Sequence, residues 1–492
     1  MTEADQPSAR AAAQDGKATA KRIGFWLGLS AMAITLLLPP PPSMPGGAWV
    51  VAGLVCWMAA WWMTEAIPLT ATALLPFLVL PFAGVGTPND VASDYYSPIL
   101  FLILGGAFLA LAIERTGLHK RLAVFVLDLV GSKGGPLQVM LAFMVSAAVL
   151  SNIISNTSTA LIMMPMAAAV LAGGGAGSDQ RLGLPGALPM AIAFAASIGG
   201  LGTIIGSPTN AIGVALLRET AGVQVSFALW SAFGLPIVVL GIPLAALIIG
   251  KVQRVADHPF DTQAARAAIA PHGPWTTPER RLVPVIALAF VLWMARPLLE
   301  PLLPPGSLTD GTIAVFAGLA LFLLPDGTGR RLLNWEEANR APWGVILMFG
   351  GGLALAAAMS RSGLDTWLGQ ALLPLAGVPL VVVALAVVAM VVLITEFASN
   401  VATASGVMPV IASLTVALGA DPLLLGVPAA MAASWGFMLP SGTGPNAIAW
   451  ATGRIDLPRM VGAGALLDLA GVVLIVGSAW AVYALMAAIG LV

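Results

Sequence analysis

Long runs without a charged side chain determine what this chain can fold into. Residues 24–64, 134–178 and 182–217 contain no Asp, Glu, Lys or Arg, and each is long enough to cross a hydrocarbon core of about 30 Å. Charged residues are only 9% of the 492 residues and hydrophobic residues are 59%, so little of the chain can face water. The sequence predicts an all-α polytopic membrane protein with about ten to twelve spans.

Two polar segments divide the chain. Residues 1–22 are Ala-rich and polar, and they are predicted to form a disordered cytoplasmic tail. Residues 251–282 carry five Lys and Arg side chains and are predicted to form a cytoplasmic linker between a first half, 23–250, and a second half, 283–492. The single cysteine, Cys56, cannot form an intrachain disulfide. The net charge of −1 identifies no partner, and no nucleic-acid partner is expected.

The two halves contain the same short phrases in the same order. The matched positions are Gly105 and Gly351 in a Gly-Gly pair, Ser155 and Ser399 in a Ser-Asn phrase, and Asn210 and Asn446 at the end of a phrase containing Gly and Pro. The offsets are 246, 244 and 236 residues, a register that indicates an internal duplication. The Gly-Gly pairs are interpreted as close-packing sites.

Charge placement indicates that the second repeat is inverted. Acidic residues precede the first Gly-Gly helix and basic residues follow it, whereas basic residues precede the second; these are Asp90 and Asp94, then Arg115, Lys120 and Arg121, and finally Arg330, Arg331 and Arg340. By the positive-inside rule the first helix enters from outside and the second from inside. Halves of opposite orientation are typical of transporters that bind solute at the interface between the repeats. This orientation places the loop 84–97 outside. Counting the predicted spans back from that loop places the N-terminus in the cytoplasm.

The repeated phrases predict an uncharged binding site. Residues 134–178 and 397–420 contain no Asp, Glu, Lys, Arg or His, so a site there has only hydroxyls, amides and backbone groups. Each Ser-Asn phrase is predicted to form the turn of a re-entrant hairpin. Each phrase that ends at Asn210 or Asn446 is predicted to form a break in a helix. Such breaks provide helix N-termini for anions and carbonyl oxygens for Na⁺.

Two readings of these hydroxyls remain open. Ser151 and Ser155, like Thr395 and Ser399, are spaced to share a helix face, which favours an ion site. Hydroxyls in membrane helices also bond to their own preceding turn, without any ligand. Glu65 and Glu396 are ionisable residues near or within spans and are therefore candidates for function. No nucleotide-binding or hydrolytic motif stands out, so the chain is not expected to be an enzyme.

Several segments of the sequence resemble those of a known family. The segments 61–68, 335–338, 342–344, 437–440 and 445–448, together with the paired Ser-Asn phrases, are similar to the divalent anion–sodium symporters. The resemblance covers nearly the whole chain after residue 23. It implies eleven spans plus two re-entrant hairpins, a homodimer with scaffold and transport domains, and an elevator-type motion in the inner membrane.

The resemblance also implies site residues. One Na⁺ site would comprise Ser151, Ser155, Asn156 and the backbone of Gly206, and its counterpart would comprise Thr395, Ala398, Asn400 and the backbone of Gly442. Substrate would meet Asn156, Thr157, Ser207, Asn400, Val401 and Thr443. Val401 stands where the commonest pattern has a second Thr, and Thr209 and Gly444 replace prolines. These departures bear on the choice of substrate.

The function that follows is symport of Na⁺ with a small divalent anion, a C4-dicarboxylate such as succinate, into the cell. The alternatives are a sulfate or citrate transporter of the same fold, an anion exchanger that does not use Na⁺, a metalloid-anion or proton-coupled pump subunit, and an intramembrane enzyme. Retention of hydroxyl–Asn pairs in both halves, with no Lys or Arg in their place, favours Na⁺ coupling. Na⁺ would be a co-transported ion rather than a prosthetic group.

Overall fold

A computed structural model describes residues 5–131, 135–177, 179–267, 273–372 and 377–490. Within these ranges the chain is helical, without β-strands. The α-helices are α1 (Asp5–Leu37), α2 (Gly46–Thr64), α3 (Leu69–Thr72), α4 (Leu75–Phe82), α5 (Pro88–Asp94), α6 (Ile99–Thr116), α7 (Leu118–Gly131), α8 (Pro136–Ser151), α9 (Asn156–Gly173), α10 (Leu184–Gly199), α11 (Pro208–Ala221), α12 (Phe227–Val252), α13 (Thr262–Ala267), α14 (Thr277–Leu299), α15 (Asp310–Leu323), α16 (Trp335–Ala338), α17 (Trp343–Ser362), α18 (Leu364–Leu372), α19 (Leu380–Phe397), α20 (Asn400–Ala417), α21 (Pro422–Ala432), α22 (Gly444–Ala451) and α23 (Leu457–Ala488).

The described residues contain 11 helical segments that are long and apolar enough to cross a membrane. This confirms the predicted all-α polytopic class. The set includes α9 and α20, which the sequence predicts as second arms of re-entrant hairpins. The shorter apolar helices α8 and α21 are not in it. The re-entrant path of the hairpins and the elevator motion therefore stay predictions.

The tail differs from the expected disorder. Residues 5–22 are helical and continue without a break into the first span, which begins at Ala18. Clustered alanines explain this, since Ala has the highest intrinsic helix propensity; residues 1–4 lie outside the described part. Lys21 lies 4.0 Å from Glu65, which caps the C-terminus of α2 in the left-handed conformation. The end of the tail and the end of α2 therefore lie on the same side of the membrane.

The predicted linker is shorter than expected. The helix α14 already begins at Thr277, where Thr276 and Glu279 form a reciprocal capping box. This cap explains the early start, because it satisfies backbone N–H groups of the first turn. Residues 268–272 of the predicted linker lie outside the described ranges, and the remaining domain boundaries stay predictions.

Two sets of ion pairs show that α6 and α17, the Gly-Gly helices, run in opposite directions. Arg115, at the end of α6, binds Asp326 and lies 3.4 Å from Glu337, both of which precede α17. Arg361, at the end of α17, binds Asp94 before α6 at 2.6 Å. Burial raises the pKa of the Asp326 carboxyl, but hydrogen bonds from Thr328 and Arg115 outweigh it and lower that pKa to about 2. Asp326 therefore stays charged at neutral pH.

The glycine pairs pack closely, as interpreted from the sequence. A Cβ on Gly105 would overlap the backbone of Ala314, and a Cβ on Gly351 would lie 2.5 Å from the carbonyl oxygen of Ala73. Neither position can carry a side chain without moving the neighbouring backbone.

The core is organised around α10, all of whose residues are buried. This helix packs against α8, α9, α12 and α22, and therefore touches both repeats. Because α10 ends at Gly199, the glycine-rich break that follows it lies deep inside the protein. The first broken helix is thus placed beside the first Ser-Asn phrase.

Candidate functional site

The first Ser-Asn phrase interrupts a helical pair. The helix α8 ends at Ser151 and α9 starts at Asn156. The Ser151 hydroxyl oxygen lies 2.6 Å from the Asn156 amide. In the rotated orientation of that amide, its nitrogen donates to the Ser151 hydroxyl at 2.6 Å and to the Gly206 carbonyl oxygen at 3.2 Å. Three residues of the first predicted ion site therefore meet.

The second phrase repeats this geometry with an excess of oxygen atoms. The Thr395 hydroxyl oxygen lies 2.9 Å from the Asn400 amide oxygen and 2.8 Å from the Ala433 carbonyl oxygen. A hydroxyl has only one proton to donate, so with the Asn400 amide in this orientation the Thr395 hydroxyl can donate to only one of these two oxygens. Crowded oxygens of this kind suit a hard cation such as Na⁺, for which carbonyl, amide and hydroxyl oxygens are suitable ligands.

The paired hydroxyls do not share a helix face, contrary to the prediction from their spacing. Ser151 ends α8, whereas Ser155 caps α9 and accepts the Ser158 N–H at 3.1 Å. Likewise Ser399 caps α20 and accepts the Ala402 N–H at 3.2 Å. The physical reason is the helix break between the two hydroxyls, which turns the second into an N-cap.

Two asparagines brace the broken helices. The Asn210 amide donates to the carbonyl oxygens of Gly200 and Thr203 at 2.7 and 2.8 Å. The Asn446 amide donates to the Leu439 carbonyl oxygen at 3.2 Å. Each asparagine thus fixes the irregular backbone that precedes its own helix, α11 or α22. The sequence marked both phrases, but it did not assign this bracing role.

Each break contains a glycine surrounded by carbonyl oxygens. A Cβ on Gly206 would lie 2.6 Å from the Gly200 carbonyl oxygen and 2.8 Å from that of Ser151. A Cβ on Gly442 would lie 3.4 Å from the Glu396 carbonyl oxygen and 3.7 Å from that of Thr395. Backbone oxygens of each Ser-Asn segment therefore lie beside the glycine of their own repeat.

The two repeats meet at the helix N-termini. The helix α9 of the first repeat packs against α22 of the second, and α11 packs against α20. At the first of these contacts, a Cβ on Gly444 would overlap the Thr157 hydroxyl. Both residues are exposed and lie in the first turn of their helices. Helix N-termini carry partial positive charge and free N–H groups, so this junction can receive an anion without a basic side chain.

The remaining predicted site residues have less direct contacts. Ser207 and Thr443 are buried N-caps of α11 and α22, and each accepts a backbone N–H of its own helix. Ala398 is buried and has an extended backbone conformation between α19 and α20. Val401 is half-buried in the first turn of α20. These residues border the two breaks, while Ser155 uses its hydroxyl within α9.

One acidic residue near the second site was missed by the sequence reasoning. Asp468 is 5% exposed and lies in the middle of α23. Its neighbour in space is Glu396, a fully buried candidate that accepts hydrogen bonds from backbone N–H groups. The sequence contained a signal for Asp468, because an ionisable residue inside an apolar span is a candidate for function.

Comparisons with known proteins find relatives over nearly the whole chain. The family model described as the sodium:sulfate symporter transmembrane region matches residues 20–487. The sodium-dependent dicarboxylate transporter SdcS of Staphylococcus saprophyticus is 38% identical over 467 residues, which are 92% of this chain and 90% of that protein. SdcS of Staphylococcus aureus strain MRSA252 is 38% identical over 473 residues, 93% of this chain and 90% of that protein.

Two solved structures share the fold. The YdaH transporter of Alcanivorax borkumensis matches with a TM-score of 0.57 and 16% identity, covering 91% of this chain and 99% of that one. MtrF of Neisseria gonorrhoeae, described within a class of antimetabolite efflux pumps, matches with a TM-score of 0.55 and 12% identity, covering 94% of each. The relatives are named as transporters and not as enzymes. The family match over nearly the whole chain confirms the resemblance seen in the sequence: the chain belongs to the divalent anion–sodium symporter family.

Proposed function

We propose that the protein couples the inward movement of Na⁺ to uptake of a small dicarboxylate dianion, such as succinate, across the inner membrane. The observation that carries this proposal is the duplicated polar cluster at the helix breaks. In each repeat a hydroxyl, an asparagine amide and the carbonyl-lined glycine of a broken helix come together: Ser151, Asn156 and Gly206, and Thr395, Asn400 and Gly442. The names of the SdcS relatives support the same substrates.

Different groups of the site would bind the cation and the dianion. Carbonyl, amide and hydroxyl oxygens would bind Na⁺, and the bound ions would offset the charge of the dianion. The N-termini of α9 and α22, which meet at Thr157 and Gly444, would bind the carboxylates through backbone N–H groups and hydroxyls. Because the anion site would be completed by bound cations, dianion binding without Na⁺ would be weak, and this links the two fluxes.

Na⁺ dependence is the most direct test. In proteoliposomes, labelled succinate uptake should be driven by an inward Na⁺ gradient and fall to background when K⁺ or choline replaces Na⁺. Unlabelled sulfate and citrate, added as competitors, would show which dianion the site prefers. Equal uptake in choline would overturn the symport proposal and favour an exchanger, while stronger competition by sulfate would reassign the substrate.

Substrate choice should depend on position 401. Thr157 presents a hydroxyl at the first Ser-Asn phrase, whereas Val401 presents none at the second. A hydrogen bond to a charged group contributes about 1.5–3 kcal/mol, so Val401→Thr should lower the KM for succinate about tenfold or more. Citrate should gain less, because a bulkier tricarboxylate has less room beside the added hydroxyl.

The control for this substitution is the Na⁺ activation curve. Thr395, Asn400 and the Gly442 backbone are unchanged in Val401→Thr, so the half-activating Na⁺ concentration should stay the same. A shifted Na⁺ curve with unchanged selectivity would instead place residue 401 in the ion site. The homodimer, the elevator-type motion and the cytoplasmic N-terminus implied by the resemblance remain proposals alongside this function.

A further inference from the structure

An apolar cavity lies beside the turn of the first Ser-Asn phrase. It has a volume of about 870 Å³ and is bounded by the end of α6, the start of α7, the turn between α8 and α9, and α14. Among the described residues that line it, only His119 and Arg121 carry ionisable groups, and the other lining side chains are aliphatic or aromatic. We call this space the lateral cavity.

The lateral cavity opens toward the lipid. One of its walls is α14, a candidate span that buries only 17% of its most apolar 18 residues inside the protein. Val283 on α14 and Phe125 on α7 line the cavity and are 37% and 62% exposed. Water is a poor occupant of an apolar space of this kind, because it finds too few polar partners there. A hydrocarbon chain from the surrounding bilayer is suited to fill it.

The length of the lateral cavity matches the depth of one lipid leaflet. Its polar end lies at the ion pair between Arg121 and Glu279, whose Nη2 and Oε2 atoms are 3.0 Å apart. Phe290 lines the cavity about three turns further along α14. Three helical turns rise about 16 Å, and half of a hydrocarbon core is about 15 Å thick. A chain that enters beside the ion pair would therefore reach about the middle of the membrane.

The polar end of the lateral cavity carries an excess of positive charge. Arg121 is neutralised by Glu279, and its guanidinium carbon lies 4.5 Å from the centroid of the Trp275 ring. Lys120 and Arg280 are the sequence neighbours of this pair, and both are exposed. Neither forms a salt bridge within the part of the chain that the structure describes. Basic residues beside an interfacial Trp favour an anionic lipid headgroup.

We propose that the lateral cavity binds one acyl chain of an anionic phospholipid, whose headgroup contacts Lys120 and Arg280. The chain would pack against Ile153 and Ile154, which line the cavity and lie between the end of α8 and the start of α9. A bound lipid would therefore support the turn of the first Ser-Asn phrase. This lipid site is additional to the sites proposed for Na⁺ and the dianion.

Photocrosslinking in proteoliposomes tests the lipid site directly. The full chain is reconstituted with phosphatidylglycerol that carries a diazirine on one acyl chain, or with phosphatidylcholine that carries the same chain. Labelled peptides are then mapped by mass spectrometry. The phosphatidylglycerol probe should label residues 150–154 and 283–290 at least about fivefold more than the phosphatidylcholine probe, because the two basic residues attract its headgroup.

Two variants test the acyl chain and the headgroup separately. Ala287 lines the cavity, so Ala287→Trp should fill it and remove the labelling of residues 150–154. Leu288→Trp is the matched control, since Leu288 is 48% exposed and does not line the cavity, and its labelling should equal that of wild type. Lys120→Gln combined with Arg280→Gln leaves the cavity intact and should reduce labelling by phosphatidylglycerol to the level of phosphatidylcholine.

The outcomes are distinct. Labelling of residues 150–154 that persists in Ala287→Trp, or its absence from wild type, would place the chain elsewhere and overturn the site. Equal labelling by the two probes in wild type would refute an anionic lipid. If Ala287→Trp did not elute as a monodisperse protein, the wild-type pattern and the charge variant would still decide the proposal. Crosslinking requires no transport, so failure of the proposed function would leave the result standing.

Discussion

Asn400→Ala is expected to abolish Na⁺-driven succinate uptake while leaving a folded protein. The Asn400 amide oxygen faces the Thr395 hydroxyl at 2.9 Å, and no charged side chain in residues 397–420 could replace it. In the proposed binding mode, the substitution removes one contact to the ion and one to the dianion. At about 1.5–3 kcal/mol for each hydrogen bond or contact to a charged group, transport should fall by about a hundredfold or more. Initial uptake rates in proteoliposomes, normalised to the amount of reconstituted protein, provide the measurement.

Asn156→Ala should have the same effect, because Asn156 makes the matching contact with Ser151 at 2.6 Å in the first repeat. Asn89→Ala is the control, since Asn89 is exposed in the short helix α5 and should transport as wild type. Monodisperse elution of each variant in detergent would show that the protein is folded. Wild-type rates in either site variant would mean that the repeated phrases serve packing alone.

Gly206→Ala is expected to eliminate Na⁺ activation through the first site. The added Cβ would lie 2.6 Å from the Gly200 carbonyl oxygen and 2.8 Å from that of Ser151, closer than real Cβ atoms approach an oxygen. Because both neighbours are backbone, they cannot turn away as a flexible side chain would. The methyl group would then occupy the space between carbonyl oxygens in which the ion is proposed to bind. The Na⁺ activation curve should become shallower and shift to concentrations at least about tenfold higher.

Gly462→Ala, in helix α23, supplies the control, because no atom lies within 4 Å of the added Cβ. A comparison of the two alanine variants separates a local effect at the break from a general effect of losing glycine flexibility. If Gly206→Ala kept the wild-type Na⁺ curve, the space around Gly206 would not be an ion site, and the first repeat would have to bind Na⁺ elsewhere.

The sequence predicted those features that depend on neighbouring residues. Spans follow from local hydropathy, and the helix breaks follow from Pro208 and Pro445 at helix starts and from the asparagines beside them. The opposite directions of α6 and α17 also followed, because the charges at helix ends respond to membrane orientation. The pairs Arg115–Asp326 and Arg361–Asp94 agree with that prediction.

Features set by distant contacts were not predicted. One of the carbonyl oxygens beside Gly206, that of Gly200, accepts a hydrogen bond from the Asn210 amide, and the direction of a carbonyl group cannot be read from residue types. The prediction that Ser151 and Ser155 share a helix face failed because the helix breaks between them and Ser155 becomes the N-cap of α9. Asp468 and Glu396 are 72 residues apart in the chain, and only the packing of α23 brings their carboxyl groups together.

Gly444 and Thr157 are coupled although they belong to different repeats. A Cβ at 444 would overlap the Thr157 hydroxyl in its present orientation, so a larger residue at 444 requires the Thr157 side chain to turn away or a smaller residue to replace it. The mutational effects of the two positions should therefore be non-additive. A substitution in one half of the molecule thus acts on the other half wherever the helix ends of the two repeats meet.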